Sequence, residues 1–158
     1  MADNLSPEQR IVTMRSVKSK NTSAEIAVRK ICRELGHSGY RLHHKDIPGK
    51  PDIAFIGRKM VIFVHGCFWH GHDCPAGANK PKTNQDYWLQ KIERNKRRDA
   101  VNLAALKSAG WKSLVVWECE IKRENIKSRI GRFLKYESIE LYINHDITTI
   151  RPVANMQR

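Results

Sequence analysis

Eight consecutive residues, Cys67-Phe-Trp-His70-Gly-His72-Asp-Cys74, carry two thiols and two imidazoles and limit what the chain can become more than any other segment. A stretch this short and rich in polar groups buries too little apolar surface to order itself, so it needs a staple. Zinc supplies one when four Cys or His side chains surround it as a tetrahedron. Cysteines stand at positions 32, 67, 74 and 119, and in a cytosolic chain such a set is more often a metal site than a pair of disulfides. Cys119 lies just beyond the apolar run Leu114-Val-Val-Trp117, which reads as a strand. Cys67, His72, Cys74 and Cys119 are the expected Cys₃His site. Two alternatives stay open: His70 in place of His72, since spacing favours neither strongly, and Cys119 as an ordinary buried thiol. Cys32 falls in the helical spacing Ile31, Cys32, Leu35 and reads as core.

Around this segment the chain alternates helices and strands. Thr22-Ser-Ala-Glu25 is a capping box, and Ala24, Ala27, Val28, Ile31 and Leu35 recur on one face until Gly36 ends the helix. Tyr40-Arg-Leu42 reads as a short strand and Ile47 to Pro51 as a turn. Asp52–Ile56 and Met60–Val64 follow as strands, joined by the hairpin-length Gly57-Arg-Lys59. Gly66 to Thr83 is the expected metal-stapled loop. A long helix then runs from about Asn84 to Ser108, closed by Gly110; Leu114–Glu118 is a strand, Asn125–Leu134 a helix, and Ile139–Ile143 a further candidate strand. This order implies an α/β core with a mixed central sheet flanked by helices. Residues 1–21 form a basic arm or helix, 22–136 the folded domain and 137–158 a tail.

With 158 residues, 41% of them hydrophobic, one domain with a real core is expected. The longest apolar run, Met60 to Val64, is far too short for a membrane span, and the N-terminus lacks a signal-peptide pattern, so the reading is soluble and cytoplasmic. Lys and Arg number 29 against 16 Asp and Glu, a net charge of +13. Spread along the chain, that excess implies a polyanionic partner, with nucleic acid foremost. Charge alone does not separate a nuclease from a passive binder.

A smaller set of residues is placed for chemistry. Asp52 opens a strand at the rim of the sheet, and a carboxylate oxygen there suits Mg²⁺, with waters and substrate phosphate completing its shell. The bland alternative is a polar strand start. His65 ends the next strand. If zinc takes His72, His70 is left as a rigidly held imidazole that is not a ligand, which is what a general base requires. On the long helix, a wheel counted from Trp88 puts Ile92, Leu103 and Leu106 within about 60° of one another and Asp99 inside their stripe at about 20°. A carboxylate there needs a partner: a catalytic His, a metal-bound water, or a structural Lys or Arg. Glu25 already has a capping task. Phe68 and Trp69 are large aromatics off core-strand spacing, suited either to wedging between bases or to covering the zinc.

The string Pro48-Gly-Lys-Pro51-Asp52, then Phe63-Val-His65-Gly-Cys-Phe-Trp-His70 and the Cys/His cluster, resembles the very short patch repair (Vsr) DNA mismatch endonucleases. The likeness extends from about Met14 to Cys119. It implies a restriction-endonuclease-like core of the PD-(D/E)xK type with a structural zinc. It also implies Mg²⁺-dependent nicking of duplex DNA on the 5′ side of the T in a T:G mismatch. Carried over, it makes Asp52 the magnesium ligand, with the backbone carbonyl of Val64 beside it, and His70 the base that activates water. His65, Asp99 and Glu25 become its polar shell, and Cys67, His72, Cys74 and Cys119 the zinc ligands. Phe68, Trp69 and Trp88 would enter the major groove as an aromatic wedge and Met14 the minor groove. Where the wider superfamily pattern has an acidic residue and a lysine on the third strand, this chain has Phe63 and His65, as the Vsr branch does. The expectation is a monomer in the bacterial cytoplasm, on the nucleoid when bound to DNA, with room for a mismatch-repair protein as partner. Two other readings compete: a restriction-like or defence nuclease with another target preference, and a zinc-stapled DNA-binding module without catalysis.

Overall fold

A computed structural model describes residues 6, 8, 9, 20–79, 84–123 and 125–135. Met14, nearly all of the expected N-terminal arm, the Ile139–Ile143 strand and the tail lie outside the described residues. Helix α1 (Ser23–Glu34) starts at the capping box: the Thr22 side chain accepts from the Glu25 backbone N–H and Glu25 reaches back to the cap. Strands β1 (Arg41–Leu42), β2 (Ile53–Phe55) and β3 (Met60–His65) follow. A one-turn helix α2 (Pro75–Ala78), the long helix α3 (Gln85–Ser108) and strand β4 (Lys112–Trp117) come next, and residues 126–135 form helix α4.

The four strands pair in the order β1-β2-β3-β4, antiparallel for the first two pairs and parallel for β3 with β4. The expected mixed sheet is present, and alternation along its strands explains the layers above and below it. Ile53, Phe55, Met60 and Ile62 pack with Val28 and Cys32 of α1 and with Ile126, Ile130 and Leu134 of α4. Ala54, Val61 and Phe63 turn the other way onto Leu106 and Leu103 of α3. Cys32 is the core residue its spacing implied, with no exposed surface. Ile130 and Leu134 are fully buried, and truncating either to Ala would cost about 2–5 kcal/mol.

Two local expectations are corrected. The β2–β3 connection is a 3₁₀ turn over Ile56–Arg58, and the positive φ it needs falls on Lys59 (φ 48), not on Gly57. Ile56 is therefore outside the strand and 42% exposed. The loop after β3 contains the α2 turn, started by Pro75 in its first turn, where a missing N–H costs nothing.

Candidate active site and metal centre

Parallel pairing sets His65 opposite Trp117. Two residues further along each chain, Cys67 meets Cys119, whose backbone N–H donates to Cys67 Sγ at 3.4 Å. Gly71, at φ 61, turns the loop back so that the His72 N–H donates to the Cys67 carbonyl at 2.9 Å. His72 Nδ1 then lies 3.5 Å from Cys119 Sγ and 3.4 Å from the Cys74 backbone N. The four donor atoms of Cys67, His72, Cys74 and Cys119 all sit within 4.8 Å of one another. Of the two histidines that spacing left open, the fold brings His72 to the thiols.

The donor set fits a structural zinc. Burial pushes the Cys67 thiol up, to about 12, whereas a hydrogen bond with His72 pulls Cys74 down, to about 6. Adjacent thiols cannot all ionise without a cation among them, and a tetrahedral, sulfur-accepting dication answers that need. Gly77 packs against this loop so closely that a Cβ would stand 2.1 Å from the His72 carbonyl oxygen. The His72 ring also stacks on Trp117 with centroids 4.3 Å apart.

His70 points away from the cysteines. Its Nδ1 lies 2.5 Å from Asp99 Oδ2, and its ring stacks on His65 with centroids 3.8 Å apart and planes 10° from parallel. Asp99 is only 17% exposed in its side chain, as its place in the apolar stripe implied, and its other oxygen meets Arg98 at 3.3 Å. Burial lowers the His65 pKa to about 4, with the neighbouring His70 acting in the same direction. His65 is accordingly neutral near pH 7. An imidazole fixed at Nδ1 by a carboxylate keeps Nε2 for the solvent side.

Across from these rings stands a group built around carboxylates. Asp52 precedes β2, and its Oδ2 accepts the Val64 backbone N–H at 2.7 Å. Burial raises the Asp52 pKa, opposed by that N–H. Glu25 is 4% exposed; its Oε2 accepts from Arg29 at 2.7 Å and from the Asn21 backbone at 3.0 Å. His43 lies between the two acids, with Nε2 at 3.4 Å from Glu25 Oε2 and Nδ1 at 3.6 Å from Asp52 Oδ1. Glu25, Asp52, Val64, His65, His70 and Asp99 line one cleft of about 1060 Å³, with Lys50, Lys91 and Arg98 in the same lining.

The aromatic residues form a cluster of their own. Phe68 packs edge-on against Trp69 and Trp88, at 5.1 and 5.5 Å between centroids. Trp88 is the buried member at 9% exposure, and Phe68 and Trp69 are half-buried. Lys91 Nζ sits 5.4 Å from the Trp69 and Trp88 centroids and 5.6 Å from that of Tyr87. Trp69 also lines the cleft, and its carbonyl accepts from Asn95 at 2.9 Å.

The fold thus gathers Glu25, Asp52, Val64, His65, His70 and Asp99 in one cleft, and Cys67, His72, Cys74 and Cys119 in one cluster. Met14 lies outside the described residues. Sequence reading passed over Arg29, His43 and Lys91. Each had a signal: Arg29 is four residues after Glu25, Lys91 is three after Trp88, and His43 opposes Asp52 when the Leu42↔Ile53 register is extended by one.

Carboxylates, an oriented imidazole and a basic border in an open cleft are equipped to hydrolyse an anionic ester. Known proteins point the same way. Residues 2–76 match the family described as DNA mismatch endonuclease Vsr. The chain is 53% identical over 121 residues to the type II nicking enzyme V.XorIIP of Xanthomonas oryzae pv. oryzae, covering 77% of this chain and 88% of that one. It is 42% identical over 136 residues to the type II nicking enzyme V.NmeAIP of Neisseria meningitidis, covering 85% and 96%. It is 34% identical over 122 residues to the DNA mismatch endonuclease Vsr of Escherichia coli K12, covering 77% of each. The chain is a DNA endonuclease, a hydrolase of phosphodiester bonds. Within that class it belongs to the Vsr DNA mismatch endonuclease family. A restriction-endonuclease-like fold is consistent with the mixed sheet and its flanking helices. Membership also sets aside the reading as a binding module without catalysis and implies dependence on a divalent metal. Among the described residues, no helix is long and apolar enough to cross a membrane.

Proposed function

We propose that the protein nicks one strand of duplex DNA on the 5′ side of the T in a T:G mismatch, with Mg²⁺ at Asp52 and a structural zinc on Cys67, His72, Cys74 and Cys119. The observation that carries the catalytic reading is the His70–Asp99 pair stacked on His65, facing the same cleft as Asp52. His70 takes a proton from the attacking water at Nε2 while Asp99 holds Nδ1 and stabilises the charged ring. His65, kept neutral by burial, holds the plane of His70 without competing for its proton. Glu25 belongs to the polar shell through the group around Asp52. Asp52 and the Val64 carbonyl would hold Mg²⁺, which would supply positive charge against the negative charge that builds on the phosphate oxygens.

Selectivity follows from the aromatic cluster. A mismatch costs less to unstack than a matched pair, so Phe68, Trp69 and Trp88 convert local duplex weakness into recognition, with Met14 from the opposite groove. The +13 charge supplies the sequence-independent grip, which weakens steeply with salt. The protein acts as a cytoplasmic monomer, on the nucleoid while bound, and leaves the nick to repair proteins.

A duplex with one T:G pair, its matched T:A counterpart and Mg²⁺ make the test. Nicking confined to the mismatch and abolished by Asp52→Ala and His70→Ala is expected; equal cutting of both duplexes would sink the mismatch reading. The second reading, another target preference, draws on relatives named type II nicking enzymes. T:G duplexes with varied flanks, followed by mapping of the nick, separate the two.

A further inference from the structure

The group of Arg29, Glu25 and His43 beside Asp52 contains more order than a polar shell requires. Arg29 NH2 lies 3.3 Å from His43 Nε2. A guanidinium can only donate, so the Nε2 lone pair faces it and accepts. In the neutral ring the proton is then on Nδ1, the nitrogen that lies 3.6 Å from Asp52 Oδ1. Glu25 Oε2 does not need the His43 proton, because Arg29 and the Asn21 N–H already donate to it at 2.7 and 3.0 Å. Arg29 is fixed in turn by Asn21 Oδ1 at 2.7 Å. Arg29 donates to His43, whose other nitrogen then faces Asp52 Oδ1 across a polar contact of 3.6 Å. On the far side, Asp52 Oδ2 accepts from Val64.

We infer that His43 is a positioning residue for the reaction: its Nδ1, turned by Arg29 toward Asp52 Oδ1 at 3.6 Å, biases the carboxylate by polar contact so that its free lone pairs face the cleft. With the Val64 N–H bound to Oδ2 and the His43 ring facing Oδ1, the plane and rotation of the carboxylate are restricted more than by Val64 alone. The geometry resembles the outer partners that orient metal ligands elsewhere, whose loss lowers metal affinity or activity about 10–100-fold. This inference rests on the proposed role of Asp52 as the metal ligand.

The backbone at His43 chooses the variants. His43 has φ 47, a left-handed conformation that Asn and Gly adopt readily. His43→Asn puts an amide N–H near the place of Nδ1–H, and His43→Gly removes the donor without strain. Each full-length, zinc-loaded chain is titrated with Mn²⁺ without DNA, read as loss of the free-ion electron paramagnetic resonance signal. The Mg²⁺ concentration for half-maximal nicking of a T:G duplex is then measured. His43→Gly is expected to raise both midpoints about tenfold, with KM for the duplex unchanged, and His43→Asn to restore most of the loss. Glycine and asparagine variants with the parent's midpoints overturn the inference. So does a His43→Gly defect confined to KM. Asp52→Ala is the separate control: Mn²⁺ binding that survives it defeats the reading of Asp52 itself, whereas binding lost in Asp52→Ala but unchanged in both His43 variants defeats only the role of His43.

Discussion

The two sides of the cleft hold their functional groups by different means. On the imidazole side, His70 is clamped between a stacked His65 and the Asp99 carboxylate, on a loop whose ends are tied to the Cys67–Cys119 cluster. On the carboxylate side, Glu25 and Asp52 are held by Arg29 and backbone N–H groups, with His43 between the two acids and no cysteine among them. The first side relies on ring packing and a cluster of donor atoms drawn mostly from one short segment, joined by Asp99 and Cys119. The second relies on buried charges drawn from three parts of the chain. A metal staple can be removed as a unit; a network of buried charges fails when one member is lost, because the remaining charge is stranded away from water.

That contrast can be broken at several points. The largest effect is expected in the chemistry: His70→Ala should lower the single-turnover nicking rate about 10²–10⁴-fold while leaving T:G duplex binding intact, as measured by rapid quench and gel shift. A rate within a factor of about three would remove His70 as the base. Next comes the staple. Cys74→Ser with Cys119→Ser should bind less than stoichiometric zinc and lose more than about 3 kcal/mol of stability, checked by metal analysis and urea unfolding. Full zinc content would disprove the assignment.

The carboxylate side is tested by Arg29→Met. It leaves Glu25 buried without its partner, and a loss of about 3–5 kcal/mol is expected from urea unfolding. The smallest effect belongs to a pair with the same four-residue spacing but open to water. Arg97 and Glu93 meet at 3.2 Å with side chains 79% and 56% exposed, against 10% and 5% for Arg29 and Glu25. Arg97→Ala should cost less than about 1 kcal/mol. If the two arginine variants cost the same, burial is not what distinguishes the carboxylate side.

The same contrast explains what could be read from the amino-acid order. The proposed zinc donors Cys67, His72 and Cys74 lie in eight residues, so their association was visible as spacing, and only Cys119 had to be supplied by a strand. Asp99 was visible too, because the 3.6-residue period exposes a carboxylate inside an apolar stripe. His43 and Arg29 gave weaker signals. Their meaning depends on the β1–β2 register and on a helix laid beside the sheet, and neither is local in sequence. Periodicity located the main strands and helices to within a residue or two, but not the 3₁₀ turn at Ile56–Arg58. There the backbone gave the left-handed conformation to Lys59, a residue with no preference for it.

The parallel pairing of β3 with β4 also bears on the order of folding. Parallel neighbours cannot be joined by a tight turn; here the connection includes all of α3, and the Cys67–Cys119 contact closes a separation of 52 residues. Such long-range closure is slow compared with forming a loop of eight residues. With the proposed zinc, a nascent chain would present Cys67, His72 and Cys74 as an incomplete, exchangeable site well before Cys119 arrives. Cys119, as the last of the proposed ligands, would then act as a check on strand register: in a sheet slipped by one residue it would miss its place, and the metal could still leave.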